Sequence, residues 1–192
     1  FVALSNTLLA MTDNDLIAYV AQVFAKKAMI TENTMAVTTL KANKTIKALT
    51  DWKGLKKSLN VDLDPAVLYG TVIVTNQDGF DMLDSAVDSM GRPILSPDLN
   101  NPTQKTFLGF PIEVFSNTLL ATTGTTTKYA PIFYGNLAEA VKFVDNGTFS
   151  FATSQHAGFL KNMTYARVIE YIDCIQVDSS DKLYIAGTLT LS

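Results

Sequence analysis

Cysteine, histidine and charge are scarce in this sequence, and each scarcity excludes a class of function. Cys174 is the only cysteine and His156 the only histidine. One cysteine cannot form a disulfide within the chain, which favours a reducing compartment, and the two residues together cannot supply a zinc site. Only 17% of the residues are charged, against about a quarter in an ordinary soluble protein. Such a deficit is typical of surfaces used partly for subunit contacts.

Basic clusters and long apolar runs are also missing. The formal net charge is −3, and a short basic cluster, Lys53, Lys56 and Lys57, stands beside Trp52 on a predicted helix. We interpret it as a solvated helix face, because a nucleic-acid site needs a larger basic footprint. No apolar run approaches the ~20 residues of a membrane span, and no signal peptide is visible.

The remaining candidates for catalysis are weak. His156 stands in a Gln-His-Ala-Gly segment with no nucleophile-elbow sequence, which favours a surface histidine over a Ser-His-Asp site. Residues 124–128 lack the second glycine and the Gly-Lys-Ser/Thr ending of a phosphate-binding loop. Asp81, Asp84 and Asp88 share a predicted helical stripe, which we interpret as a solvated acidic face rather than a divalent-ion site. The sequence therefore predicts no catalytic, cofactor-binding or metal-binding residue.

Helical patterns come first along the chain. Apolar and small residues at three- and four-residue spacing predict a helix exceeding about 25 residues, opened by Thr12 with Asp15 and running to Leu40. The elements predicted next are a helix at 51–59 and a buried strand at 71–75. A further helix follows, which is capped by Asn76 and ended by Gly91 and Pro93. One face of this helix carries Phe80, Leu83 and Val87.

Strand patterns follow from Tyr129 onward. Asp145-Asn146-Gly147 predicts a hairpin whose return strand carries Phe149 and Phe151. Residues 163–177 predict a long strand covered on both faces, and 183–191 a final strand with a bend or bulge at Gly187. Helices early and strands late predict the α+β fold class.

Three stretches, taken in order, resemble the major capsid protein family of tailed bacteriophages, with its Hong Kong 97-like fold. The first is the end of the long helix, residues 30–37 (Ile-Thr-Glu-Asn-Thr-Met-Ala-Val). The second is residues 88–95 (Asp-Ser-Met-Gly-Arg-Pro-Ile-Leu) followed by 107–114 (Phe-Leu-Gly-Phe-Pro-Ile-Glu-Val). The third is residues 132–137 (Ile-Phe-Tyr-Gly-Asn-Leu) with 159–163 (Phe-Leu-Lys-Asn-Met).

The resemblance implies a division of the chain and a function. Residues 1–40 and 135–180 would form the P domain, with a spine helix and long strands, and residues 41–134 and 181–192 the A domain. The protein would be a structural subunit that assembles with copies of itself into pentamers and hexamers enclosing the genome, without catalysis, cofactors or a membrane. Scaffold and portal proteins would be further partners, and DNA would be enclosed without sequence-specific binding. The protein would be assembled in the bacterial host cytoplasm and located in the virion.

Two polar segments, residues 96–106 and 121–128, would gather at the capsomer axis under this resemblance. Asn, Thr and Pro suit adaptable polar contacts, although ordinary surface loops have the same composition. The candidate axis residues are Asp98, Asn100, Asn101, Gln104, Thr123, Thr125 and Lys128.

Some family members crosslink their subunits through a lysine on an extended hairpin, the E-loop, and an asparagine in the P domain, helped by a glutamate. Asn162 matches the asparagine, but the glutamate position falls on Ile169, with Glu170 next to it. The sequence shows no counterpart of the N-terminal arm and E-loop, and its start at Phe1 suggests a fragment or processed product. We therefore expect no crosslinking, and a monomeric or weakly associated chain rather than a shell.

Two alternatives remain open at this stage. An encapsulin-type compartment shell has the same fold but encloses cargo enzymes, and it would carry a groove for a cargo peptide. A small hydrolase or ligand-binding domain would show a deep pocket lined by convergent ionisable groups. The Asp-x-x-Gly-Arg and Leu-x-Gly-x-Pro patterns are closer to the phage members.

Overall fold

The computed structural model describes residues 1–7, 14–98, 101, 103–148 and 150–191, with the side chains of the first long helix described from residue 19. The helices are α1 (Asn14–Lys41), α2 (Trp52–Val61), α3 (Gln77–Ser85) and α4 (Leu137–Ala140), with 3₁₀ turns at Pro65–Val67 and Phe159–Lys161. The strands are β1 (Val2–Ser5), β2 (Lys47–Leu49), β3 (Val72–Asn76), β4 (Leu95–Pro97), β5 (Lys105–Phe107), β6 (Phe110–Phe115), β7 (Lys128–Gly135), β8 (Val141–Asp145), β9 (Ser150–Gly158), β10 (Met163–Ile169), β11 (Ile172–Gln176) and β12 (Tyr184–Leu191). This mixture confirms the predicted α+β class.

Contacts divide the chain into two compact units. The first unit comprises Phe1–Met35 and Phe143–Cys174, and the second comprises Ala36–Lys142 and Ile175–Ser192. Each is built from segments distant in sequence, so neither is a continuous stretch of chain. The assignment of residues 1–40 with 135–180 to a P domain, and of 41–134 with 181–192 to an A domain, stays a prediction.

The second unit is built on a seven-stranded mixed sheet in the order β2-β12-β7-β3-β6-β5-β4. Its central strands are apolar on both faces: Ile73 and Val74 are successive buried residues of β3, and Ile132 and Phe133 are successive buried residues of β7. Successive side chains of a strand point to opposite faces, so such strands need cover on both sides.

Helices supply that cover. Leu55 and Leu59 of α2 and Leu83 of α3 pack on one face with Ile73 and Ile132. The other face is covered by Val37 and Leu40, near the carboxyl end of α1, which join Val74 and Phe133. The exposed positions of α2 include Lys53, Lys56 and Lys57, as predicted for a solvated face.

Local caps explain where two of these helices begin. The Asp51 carboxylate accepts a hydrogen bond from the Gly54 amide at 2.8 Å, which caps α2. The Asn76 side chain accepts one from the Gly79 amide at 2.9 Å, which confirms the predicted cap of α3. Gly79 is required here because a Cβ would lie 2.2 Å from the hydroxyl oxygen of Thr75.

The first unit contains an antiparallel three-stranded sheet in the order β1-β10-β9, together with α1 up to residue 35. The 28 residues of α1 confirm the long predicted helix. Its predicted opening pair falls partly outside the described residues, since Thr12 is not described and only the backbone of Asp15 is.

The predicted end of the third helix is wrong. It ends at Ser85, and Ala86 already has an extended backbone. The Asp88 carboxylate accepts hydrogen bonds from the amides of Met90 and Arg92, at 2.8 and 3.0 Å, and so builds a turn. A short acidic side chain that bonds nearby amides competes with helix continuation. Val87 and Asp88 therefore lie off the helix, and the predicted stripe of three aspartates does not exist.

The predicted hairpin at Asp145-Asn146-Gly147 is also wrong, although the turn itself forms. The Asp145 carboxylate accepts a hydrogen bond from the Gly147 amide at 2.8 Å, and Gly147 has φ +65°. The strands on either side do not pair with each other, because β8 pairs with β11 and β9 with β10. The turn connects two sheets, and Phe149 of the predicted return strand lies outside the described residues.

Two further strand predictions need correction. Residues 163–177 form β10 and β11 with a break at Glu170 and Tyr171, and Arg167 of β10 is exposed rather than covered. Gly187 is not at a bulge, since β12 pairs with β7 in continuous register. It instead allows β2 to approach, because a Cβ there would lie 2.7 Å from the Lys47 carbonyl oxygen.

Candidate assembly surfaces

The first predicted axis loop is the connection between β4 and β5. The Asp98 amide donates to the Gln104 carbonyl at 2.9 Å, and the Gln104 amide donates to the Asn101 carbonyl at 2.9 Å. The Gln104 side chain donates to the Glu113 carboxylate at 2.9 Å, which ties the loop to β6. Asn101 is exposed, and Asn100 lies outside the described residues.

The second predicted axis loop precedes β7. Thr123 and Tyr129 exchange two backbone hydrogen bonds of 3.0 and 2.8 Å, which close the loop at its base. Within it, Gly124 has φ +93°, and a Cβ there would lie 2.0 Å from the Thr127 carbonyl oxygen. Thr125 and Lys128 are exposed. The loop therefore presents polar side chains from a fixed base.

A polar anchor connects this second loop to the start of α3. The Asp78 carboxylate accepts hydrogen bonds from the Thr122 hydroxyl at 2.5 Å and from the side-chain amide of Asn117 at 2.8 Å. The side-chain amide of Asn76 donates to the Thr122 hydroxyl oxygen at 2.8 Å and to the Leu120 carbonyl at 2.9 Å. Bonds from Thr122 and Asn117 stabilise the ionised carboxylate and hold the pKa of Asp78 below its usual value, with a smaller contribution from the positive charge of Lys128.

The sheet topology places both loops at one end, which we call the loop end (residues 98, 101, 103–104 and 121–128). Strand β3 runs parallel to β6, and β7 runs antiparallel to β3, so the start of β7 lies where β3 ends. Strand β5 is antiparallel to β6, so its start lies toward the end of β6. Between β7 and β5 stand β3 and β6, so the loops are separated by three strand spacings of about 4.8 Å each.

Sequence reasoning missed the anchor. Asn76 was predicted as a helix cap, and its position after a β-branched run is a local signal for that role. Nothing local links Asp78 to Asn117 or Thr122, because the contacts span 39 and 44 positions. Only the pairing of β3 with its neighbours brings these residues together.

Asn162, the residue that matches the family's crosslinking position, lies in the turn between β9 and β10. Its backbone is left-handed, with φ 50°, and its side-chain oxygen accepts a hydrogen bond from the side-chain amide of Asn6 at 2.9 Å. The side-chain oxygen of Asn6 in turn accepts a hydrogen bond from the Thr164 hydroxyl at 2.5 Å. The geometry gives Asn162 a structural role in the turn, and the absence of crosslinking stays a prediction.

A cavity of about 790 Å³, which we call the apolar groove, lies within the first unit. Helix α1 forms one wall, and alternate residues of β9 and β10 form the other with one residue of β1. Two carboxylates, Glu32 and Glu170, line it among otherwise apolar or small side chains. The lining residues are Leu4, Val20, Ala21, Phe24, Ala25, Ala28, Met29, Glu32, Phe151, Thr153, Thr164, Ala166, Val168 and Glu170.

The residues considered for catalysis do not converge. His156 is exposed on β9 and Cys174 is buried on β11. Within the described ranges, no cluster of His, Cys, Asp and Glu has the geometry to hold a metal ion. In the same part of the chain, no helix combines the length and apolar character needed to cross a membrane.

Solved structures share this fold, among them the following three. The capsid of an empty GTA particle aligns with a TM-score of 0.74 and 12% identity over 100% of this chain and 71% of that one. The capsid of the native GTA particle gives 0.75 and 11% over 100% and 70%. Gordonia phage Cozz gives 0.58 and 14% over 98% and 68%. No curated protein matches the sequence.

The fold and the match to a capsid family over most of the chain define a structural shell protein rather than an enzyme. The model of the phage capsid family matches residues 1–181, and the chain belongs to that family. The protein is thus a structural subunit of an icosahedral bacteriophage capsid that assembles with copies of itself, as the sequence predicted. Nothing in these similarities favours the encapsulin alternative.

Proposed function

We propose that the loop end lies at the capsomer axis and makes the contacts that close both pentamers and hexamers. The observation that carries this proposal is that the two loops lie at the same end of one sheet. Their bases are fixed, by Gln104 bonded to Glu113 and by Thr122 bonded to Asp78, while Asn101 and Thr125 face solvent. A fixed base with adaptable polar tips suits one loop to rings of two sizes.

The symmetry of two structural relatives supports the proposal that subunits form rings about an axis. The two GTA capsids were computed with C5 symmetry. A shell with five-fold vertices needs a subunit surface that repeats around a closed ring, which is a heterologous contact. The loop end offers two separate polar segments, so one subunit's first loop can face its neighbour's second.

The enclosed genome would be held without tight binding. The net charge of −3 and the short basic cluster on α2 do not provide the footprint that neutralises many phosphates. A shell of such subunits confines DNA by closure, and a weakly acidic surface keeps the packaged DNA from adhering to it. We further propose that assembly takes place in the bacterial host cytoplasm with scaffold and portal proteins as partners.

Crosslinking around the axis tests the loop assignment. The gene product containing this chain is expressed with its neighbouring genes in a Cys174→Ala background with one cysteine on each loop, Asn101→Cys and Thr125→Cys. Shells are confirmed by light scattering and negative-stain imaging. A short bis-maleimide that joins the first loop of one subunit to the second loop of the next should then produce a ladder on denaturing gels that ends at five and six subunits. The matched control carries two cysteines on the exposed face of α2, Lys53→Cys and Lys57→Cys.

The two variants make the outcome decisive. A ladder from the pair of loop cysteines with no ladder from the pair on α2 supports the axis position. Intact shells in which the pair of loop cysteines gives no product between subunits beyond a dimer would overturn it. Failure of the full gene product to form capsomers or shells under any condition would contradict the assembly proposal as a whole.

A further inference from the structure

The apolar groove contains two carboxylates that its own surroundings do not neutralise. Glu32 of α1 and Glu170, which directly follows β10, are half-buried, and neither forms an ion pair with a basic group in the part of the chain that the structure describes. Ala21, Ala25 and Ala28 leave space along the helix wall. The groove therefore suits an occupant with bulky apolar side chains and a positive charge beside them.

The same unit presents such a segment at the tip of the β9–β10 hairpin. Phe159 is 80% exposed and Leu160 is 97% exposed, and Lys161 follows them with its side chain in solvent. The tip is a 3₁₀ turn closed by the left-handed Asn162, whose side chain is bonded to Asn6. Two large apolar side chains held outward by a fixed turn are typical of an interface anchor.

We propose that the hairpin tip of one copy, residues 159–161, docks into the apolar groove of a second copy. The tip cannot fill the groove of its own chain, because β9 and β10 form a wall of that groove and the tip projects beyond their ends. Phe159 and Leu160 enter the apolar part of the groove, and the Lys161 ammonium group offsets one of the two negative charges of Glu32 and Glu170. Each copy then offers one tip and one groove, which lets the contact repeat through a shell.

Charge complementarity is the strongest argument for a second copy as the occupant. Covering a carboxylate with an apolar partner costs free energy unless a cation compensates the lost water. A tip made of Phe and Leu alone would leave both carboxylates without a cation, whereas the lysine that follows them brings one compensating charge into the groove. The contact uses a surface of the first unit, so it stands or falls independently of the loop end proposed above.

A cysteine-pair experiment tests the contact even if it is weak. Two forms of the chain are made in the Cys174→Ala background: Leu160→Cys with a size tag, and Ala25→Cys on the groove wall without one. The two are mixed in a buffer of oxidised and reduced glutathione, and the mixed disulfide dimer is quantified. The matched control replaces Ala25→Cys with Gln22→Cys, an exposed position of α1 that does not line the groove. We expect the tip–groove pair to form at least about tenfold faster, because docking raises the local thiol concentration.

Charge reversal supplies the second arm. Lys161→Glu on the tip should lower the rate of the tip–groove pair several-fold, and Glu32→Lys on the groove copy should restore part of it. Circular dichroism melts establish that every variant is folded before mixing. Equal rates for the Ala25 and Gln22 pairs would overturn the proposal. A rate that is unaffected by Lys161→Glu would also overturn it, because the lysine would then not enter the groove.

Discussion

The Thr122 hydroxyl donates a 2.5 Å hydrogen bond to the Asp78 carboxylate, and this bond joins residues 44 positions apart. It holds the base of a loop against the first turn of α3. The same hydroxyl oxygen accepts a hydrogen bond from the side-chain amide of Asn76 at 2.8 Å. Thr122 therefore connects two polar side chains at the end of β3, and the shape of the loop end depends on it.

Replacing Thr122 with Val should destabilise the protein by about 1–3 kcal/mol. The substitution keeps the shape but leaves one bond of Asp78 and one of Asn76 unmade, and groups that lose a partner on folding are penalised. Thr125→Val is the matched control, because that side chain is exposed in the same loop, and its effect should stay within about 0.5 kcal/mol. Urea unfolding measures both, and equal effects would show that the anchor does not stabilise the fold.

Much of the fold could be predicted from the sequence because its signals are local. The periodicity of α1, the acceptor side chain at Asn76 and the β-branched run of β3 each depend on neighbours along the chain. The turn at Asp145 to Gly147 shows the limit of such signals. Its residues form the predicted turn, yet β8 and β9 pair with other strands because strand partners are chosen by the whole sheet.

The candidate site was predictable only in outline for the same reason. Composition identified the two polar loops, and the sheet topology then decided that they share one end. The groove lined by Glu32 and Glu170 had no sequence signal, because helix and strand residues lie on one surface only after the first unit has folded. In the sequence, Glu170 stands out only as the neighbour of Ile169. No local pattern indicates that it lines the same groove as Ala166.

Lys44 and Asp181 form an ion pair whose two ends should matter unequally. The Lys44 side chain is 1% exposed and that of Asp181 is 73% exposed. The Lys44 ammonium group also donates to the Ser179 carbonyl at 3.0 Å and lies 4.0 Å from the centre of the Tyr184 ring. Lys44→Met should therefore cost about 1–3 kcal/mol, whereas Asp181→Asn should cost less than about 1 kcal/mol, as exposed pairs do.

Thermal and urea unfolding of the two single variants and the double variant separate these contributions. A double variant no less stable than Lys44→Met alone would show that the aspartate acts only through the lysine. Asp181→Asn as damaging as Lys44→Met would contradict the prediction. In that case the exposed carboxylate, rather than the buried contacts to Ser179 and Tyr184, would carry the stabilisation.

Tyr134 predicts a loss of stability at alkaline pH. Its hydroxyl is buried and lies 2.7 Å from the Ser58 hydroxyl, and burial raises the pKa of Tyr134 to about 12, compared with about 10 in an unfolded chain. A raised folded-state pKa means that the unfolded state releases the proton first. The stabilisation is complete below about pH 10 and is lost as the pH rises from about 10 through about 12.

The variant Tyr134→Phe isolates this contribution. Near neutral pH it should be less stable than the native chain by about 1 kcal/mol, because the bond to Ser58 is lost. The difference should shrink and then change sign between about pH 10 and 12, where ionisation destabilises the native chain but not the variant, because a pKa difference of about two units corresponds to about 2–3 kcal/mol. Tyr69→Phe, at a side chain that is 94% exposed, is the control and should show no such change. Urea unfolding across this range that keeps the native and Tyr134→Phe curves parallel would contradict the assignment.

Gly135 should tolerate substitution far less than Gly91, although both have positive φ. Gly91 has φ +77° and open space around it, so Gly91→Ala should cost only the strain of a left-handed residue, about 1–2 kcal/mol. At Gly135, with φ +129°, a Cβ would lie 2.4 Å from the Leu183 carbonyl oxygen and 2.5 Å from the Tyr184 Cα. These are backbone atoms of the chain entering β12, which cannot move without disturbing the pairing with β7, so Gly135→Ala should cost more than about 3 kcal/mol. Melting temperatures of the two variants rank them directly, and a Gly135→Ala chain as stable as Gly91→Ala would mean that β7 and β12 are less closely paired than the structure describes.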